Sequence, residues 1–227
     1  MELAKFSDYF KLLPLIFPLS LLCALSGSRW IDSLYTRYTK GQEPGLLSFP
    51  EQVSQRSRFR KPLLFLLLLL LAGRVTAVAA MPAAAYFTVA VTLLSFITVT
   101  DFEQYVIFDA MLLPLAIAGV FYTLHLQLPL TEHIAAALGG GLLFFLLAVA
   151  THGAIGGGDI KLVAALGLWL GVRPLLSVIA YGFMAGGAAA LFLLLTKQKD
   201  RRSYFAYGPY FALSAVAILL GWVKGLL

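Results

Sequence analysis

The sequence predicts an all-α fold, a polytopic transmembrane helical bundle of about eight helices. Three observations predict it. Of 227 residues, 60% are hydrophobic and only 12% are charged, with a mean hydropathy of +0.88; soluble domains are roughly half apolar and one quarter charged. The apolar residues fall in long runs, most near the ~20 residues that cross a bilayer as a helix. The Lys and Arg residues flank those runs, where they set orientation and meet anionic lipid. The net charge of +6 is therefore assigned to contact with membrane lipids, and no nucleic-acid partner is expected.

Helices are expected at about 9–27, 62–80, 83–100, 105–125, 131–152, 160–172, 175–196 and 207–225. The first run starts after Lys11, contains Pro14 and Pro18, and does not end in the small-residue pattern of a cleaved signal. Pro62 opens the second, at a position where a helix tolerates proline. Met81-Pro82 separates the second from the third as a loop or kink. The sixth is short for a crossing and is read as tilted or half-buried. Tyr207-Gly208-Pro209 reads as a turn into the last helix. One sizeable polar segment, about 28–61, is expected as a loop and carries Arg29, Arg37, Lys40, Arg56, Arg58, Arg60 and Lys61. A second basic cluster, Lys197, Lys199, Arg201 and Arg202, follows the seventh run. The chain is accordingly divided into an N-terminal membrane region at about 1–80 and a second membrane domain at about 81–227. Cys23 is the sole cysteine, so neither an intrachain disulfide nor a cysteine zinc cluster is expected.

Topology follows from the basic residues. The positive-inside rule places the 28–61 segment in the cytoplasm. Counting runs onward, the loops near 101–104, 153–159 and 197–206 are also expected inside, and those near 73–82, 126–130 and 173–174 outside.

Acids beside apolar runs are costly and are functional candidates by default. Asp101, Asp109 and Asp159 are the informative ones. This topology rests on the basic residues alone, yet it puts Asp101 and Asp159 on one cytoplasmic face. Two adjacent carboxylates cannot both ionise cheaply, so they share a proton and titrate as a unit. Such a pair divides acid and base work as an aspartic protease does, with no cofactor or metal. Gly156, Gly157 and Gly158, just before Asp159, are expected to adopt positive φ and let a substrate strand approach. Blander readings stand beside these. Asp101 by itself reads equally well as a solvated interfacial acid, and a glycine run as a packing site. Lys161 is read as snorkelling to the interface, with site positioning the lesser reading. Glu103 is expected to face water, and His133 and His152 to be structural rather than metal ligands.

At these residues the chain resembles the type IV prepilin peptidase family, bacterial membrane aspartic proteases of the GxGD type. Gly156-Gly157-Gly158-Asp159-Ile160-Lys161-Leu162 is similar to the family's Gly-x-Gly-Asp-x-Lys-Leu segment. Asp101, followed by Ile107, Asp109 and Pro114, resembles its first aspartate segment, with Phe108 where the family usually has proline. Tyr207-Gly208-Pro209-Tyr210-Phe211-Ala212-Leu213 resembles the segment that opens its last helix. Leu25-Ser26-Gly27-Ser28-Arg29-Trp30 is only faintly similar to its N-terminal stretch.

The resemblance implies that Asp101 and Asp159 are the catalytic pair, with Gly156, Gly157, Gly158, Lys161 and Asp109 framing the site. It implies an endopeptidase of the bacterial inner membrane that removes basic leaders from type IV prepilins or type II secretion pseudopilins on the cytoplasmic side. Many members also methylate the new N-terminus, so S-adenosylmethionine enters only if methylation is retained. The family's paired Cys-x-x-Cys zinc motif is absent, and zinc is not expected. Two other classes compete: a transporter, whose acids mark an ion path, and an inactive scaffolding homologue in pilus or secretion assembly.

Overall fold

A computed structural model describes residues 2–39, 47–78, 83–197 and 205–221. Every regular element among them is a helix. These are α1 (Glu2–Thr39), a 3-10 turn (Pro50–Gln52) leading into α2 (Val53–Arg56), α3 (Arg60–Val78), α4 (Ala83–Gln104), α5 (Asp109–His125), α6 (Leu130–Ala150), α7 (Gly157–Leu170), α8 (Val172–Leu195) and α9 (Gly208–Leu219). The Leu13–Tyr38 part of α1, with α4, α6 and α8, is long and apolar enough to cross a membrane; α5 and α9 are shorter apolar helices. Leu138, Leu142, Leu146 and Val149 on α6, and Met184, Leu191 and Leu195 on α8, point outward. The chain is a polytopic helical membrane protein, with apolar side chains turned toward lipid. Each of the eight expected runs contains a helix, but residues 105–108, expected to open the fourth, are not helical, and 79–80 and 222–225 lie outside the described residues. Met81-Pro82 and Lys40, Lys199, Arg201 and Arg202 lie outside the described residues.

The chain forms two compact units, Met1–Val106 and Ile107–Leu227. In the first, α3 packs against α1 and α4. The expected loop at 28–61 is corrected here: α1 continues unbroken to Thr39, and 53–56 is helical again. The cause is periodicity. Ala24, Gly27, Ser28, Ile31, Leu34 and Tyr35 are buried, a 3.6-residue stripe that stays continuous while polar residues fill the other faces. A Cβ on Gly27 would collide with the Phe96 ring, so glycine lets α1 and α4 approach closely at this point.

In the second unit, α7 is in contact with α5, α6, α8 and α9. Leu162, Val163, Leu166 and Trp169 line its inner face, each 1% exposed or less. Its 14 residues span about 21 Å, short of a ~30 Å hydrocarbon core. Glycine again sets the spacing. A Cβ on Gly167 would stand 2.5 Å from Ala137 Cα on α6, and one on Gly119 of α5 would stand 2.7 Å from Trp169 Cδ1. The Trp169 indole N–H donates to the Leu115 carbonyl at 2.8 Å, and its ring stacks on Tyr122 with centroids 5.2 Å apart. Gly171, at φ +70, makes the turn from α7 to α8. Tyr207-Gly208-Pro209 opens α9 as expected, with Pro209 in the first turn. Phe211 packs edge-on against both Phe144 and Phe183.

Candidate active site

Asp101 stands one turn before the end of α4, in the first unit, and is 5% exposed. Its carbonyl accepts the Tyr105 N–H at 3.0 Å, and Tyr105 takes a left-handed φ of 53 that stops the helix. The hydroxyls of Thr98 and Thr100 bond back to carbonyls of their own helix, Leu94 at 2.8 Å and Ile97 at 3.2 Å.

The end of α4 is held by several attachments. Glu103, expected to face water, is 7% exposed. Its carboxylate accepts Arg60 Nε at 2.9 and 3.0 Å, Arg60 Nη2 at 2.6 Å and the Tyr35 hydroxyl at 3.0 Å. Arg60, 2% exposed, also donates through Nη1 to Asp32 Oδ1 at 2.6 Å and to the Ser28 carbonyl at 3.3 Å. A charge costs too much to bury alone, so Glu103 turns inward only because this guanidinium meets it. Segment 47–56 grips the last turn as well. The Gln104 side-chain amide accepts the Phe49 N–H at 2.9 Å and donates to the Phe49 carbonyl at 3.0 Å. Ser48 N–H donates to the Gln104 carbonyl at 3.3 Å, and Arg56 Nη1 to the Glu103 carbonyl at 3.0 Å. Arg56 also lies 3.5 Å over the Phe49 ring. These donors satisfy carbonyls that the helix itself leaves open.

The second unit holds Asp159, Asp109, Lys161 and the three glycines. Gly156 is the N-cap of α7 with φ −71 and ψ 148, and Gly157 and Gly158 form its first turn. The expected positive φ is thus not adopted at these glycines. What Gly158 provides is closeness, since a Cβ there would stand 3.0 Å from Ile107 Cβ, whereas Gly157 has nothing within 4 Å. Asp159 is the third residue of α7, the position from which a side chain reaches back to the N-cap amide. It lies in the opening turn, before the buried part of the helix. Burial pushes its carboxyl up to about 6, against a smaller downward pull from the Gly156 backbone N–H. Asp159 Oδ1 is buried with no hydrogen-bond partner among the described residues. Asp109 begins α5 behind Phe108, whose φ of −79 lies in the range proline would fix. Lys161 Nζ reaches Asp109 at 2.8 and 2.7 Å. The structure thus joins Lys161 to Asp109 and Gly158 to Ile107, while Asp101 and Asp159 belong to different units.

His133 is structural, as expected. It is 5% exposed, and its Nδ1 lies 3.0 Å from the Leu168 carbonyl and 3.3 Å from the Thr123 hydroxyl. Among the described residues no three His, Cys, Asp or Glu side chains gather as a metal group, so they do not compose the three- or four-ligand set that zinc takes.

Residues 87–191 match the type IV leader peptidase family. Over 174 residues the chain is 31% identical to a prepilin leader peptidase/N-methyltransferase of Aeromonas hydrophila, covering 71% of this chain and 59% of that protein. The enzyme of the same description from Aeromonas salmonicida (strain A449) is 30% identical over 133 residues, 55% of this chain and 45% of the relative. That from Neisseria gonorrhoeae is 32% identical over 133 residues, 56% and 43%. The chain spans about half the length of these curated relatives. No solved structure matches it.

Proposed function

Residues 87–191 belong to the type IV leader peptidase family, and on that premise we propose that the chain is a membrane aspartic endopeptidase. Its substrates are type IV prepilins or type II secretion pseudopilins, whose basic leaders it removes at the cytoplasmic face of the bacterial inner membrane. The orientation rests on the basic residues around 28–61.

Asp101 and Asp159 divide the work. The ionised carboxylate takes a proton from water, the water attacks the scissile carbonyl, and the protonated carboxyl donates to the leaving amine. The observation that carries this reading is Asp159 itself: a carboxyl at a glycine-framed helix start, with one oxygen buried and its proton retained to about pH 6. In this reading Asp159 is the proton donor and Asp101 the base. Asp109 and Lys161 frame the site. Proteolysis of this kind needs no cofactor. N-methylation, the second activity in the relatives' names, takes its methyl group from S-adenosylmethionine.

The test is co-expression with a panel of prepilins and pseudopilins, with leader removal read by gel and mass spectrometry. Wild type is expected to cleave, and Asp101→Asn and Asp159→Asn to insert in the membrane without cleaving. Normal leader removal by either variant would refute the pair. The mass of the mature N-terminus reads methylation in the same samples.

A further inference from the structure

We infer that Arg60 and Glu103 are positioning residues for Asp101: their buried ion pair fixes the rotation of the last turn of α4 and so the aim of the carboxylate. The inference rests on the reading of Asp101 as a catalytic carboxylate.

Two side chains of opposite charge are almost fully withdrawn from water here, at 2% and 7% exposure. Such a pair adds little to stability over a well-packed apolar substitute, because desolvation offsets the attraction. What it supplies is direction. Arg60 meets Glu103 through Nε and Nη2 together, a fork that accepts one orientation of the carboxylate. Arg60 is itself fixed from α1 by Asp32 and the Ser28 carbonyl, and Tyr35 of α1 binds the same Glu103 oxygen. Residues of α1 and α3 therefore converge on one side chain at the end of α4.

That end needs the help. The final carbonyls of a helix have no ladder partner, and the last turn is the part that frays. Glu103 is two residues beyond Asp101, or about 200° further round the helix. The pair thus holds the turn from the face opposite Asp101. Residues two apart do not face each other, so the effect on Asp101 passes through the backbone, as a set rotation of the turn. Arg56 and Ser48 cap backbone carbonyls of the same turn, and the Gln104 side-chain amide ties it to the Phe49 backbone.

The experiment separates direction from stability, using the full chain in lipid nanodiscs. Wild type, Arg60→Ala, Arg60→Lys and the apolar double variant Arg60→Met/Glu103→Leu are compared. The readouts are thermal midpoint, kcat and KM for leader removal, and amide hydrogen exchange over residues 99–105. The double variant is expected to recover the thermal midpoint that Arg60→Ala loses. Its kcat is expected to stay down about tenfold or more, the scale of a small misplacement of a reacting group, with KM within about twofold because substrate binding is untouched. Exchange over 99–105 is expected to rise. Arg60→Lys keeps the charge without the fork and is expected to show the same kcat loss with the fold intact, so it decides the matter if the double variant does not fold. Recovery of kcat together with the midpoint, or unchanged exchange, overturns the inference. Asp101→Asn runs alongside: if it still cleaves, the aspartate reading has failed, and exchange at 99–105 alone then judges whether the pair orders the turn.

Discussion

Lys161 Nζ lies 2.7 Å from Asp109 Oδ2, joining the second turn of α7 to the first turn of α5, although both side chains are more than half exposed to solvent. Exposed pairs of this kind contribute about 0–1 kcal/mol. Asp109→Asn is therefore expected to change stability by less than ~1 kcal/mol, with the difference vanishing at high salt. Thermal melts at low and high ionic strength check this. A large loss that persists in salt would mean the pair is screened from water after all.

Asp159 gives the pH prediction. Its folded value, about 6, lies above the ordinary 3.8, so the folded state binds the proton more tightly than the unfolded one. Its contribution to stability is then full below about 3.8, lost as pH rises to about 6, and flat beyond. Asp159→Asn, which mimics the neutral form, should show no such decline. Melting wild type and variant across this range tests it, and parallel curves would contradict the assignment. In leader removal, the alkaline limb of kcat/KM should fall with an apparent pKa near 6, since a protonated Asp159 is the donor.

Gly167→Ala is expected to cost about 1–3 kcal/mol, because the added methyl is driven into the α6 backbone at Ala137 rather than into a movable side chain. Chemical or thermal unfolding in detergent measures it. Gly157→Ala, with open space around its Cα, serves as the neutral comparison.

Trp169→Phe removes the indole donor to the Leu115 carbonyl and leaves the Tyr122 ring partly unstacked. A loss of about 0.5–1.5 kcal/mol is expected from the lost hydrogen bond, since the Leu115 carbonyl keeps its ladder partner inside α5. The fluorescence of Trp169 in wild type should be blue-shifted, since the residue is 1% exposed.

The apolar runs made the helices legible, because lipid forces each such run to satisfy its own backbone. The continuation of α1 through Trp30 to Thr39 was not legible from hydropathy. It depends on a narrow stripe, Ile31, Leu34 and Tyr35, diluted by Arg29, Asp32, Ser33 and Arg37 on the other faces. Asp101 and Asp159 stood out as acids against apolar runs. Glu103 did not, since its inward turn depends on Arg60, 43 positions away, and a pairing across that separation leaves little mark in a single sequence. The weak hints were the place of Arg60 at the head of an apolar run and of Glu103 two residues past Asp101. Of the readings open for the glycines before Asp159, the packing site is met at Gly158, which stands close to Ile107, while the expected positive φ is not adopted.

The brevity of α7 has a practical consequence for anyone assaying the protein. A helix of 14 residues that carries an acid in its opening turn is shorter than a bilayer of ordinary thickness, and lipid meets a short helix by thinning around it. Lengthening the acyl chains of the host lipid should shift how deep Asp159 sits, and hence its hydration and acidity. Choice of detergent or phospholipid then acts as a chemical variable on the same footing as buffer pH, and rates taken in different hosts would not be interchangeable.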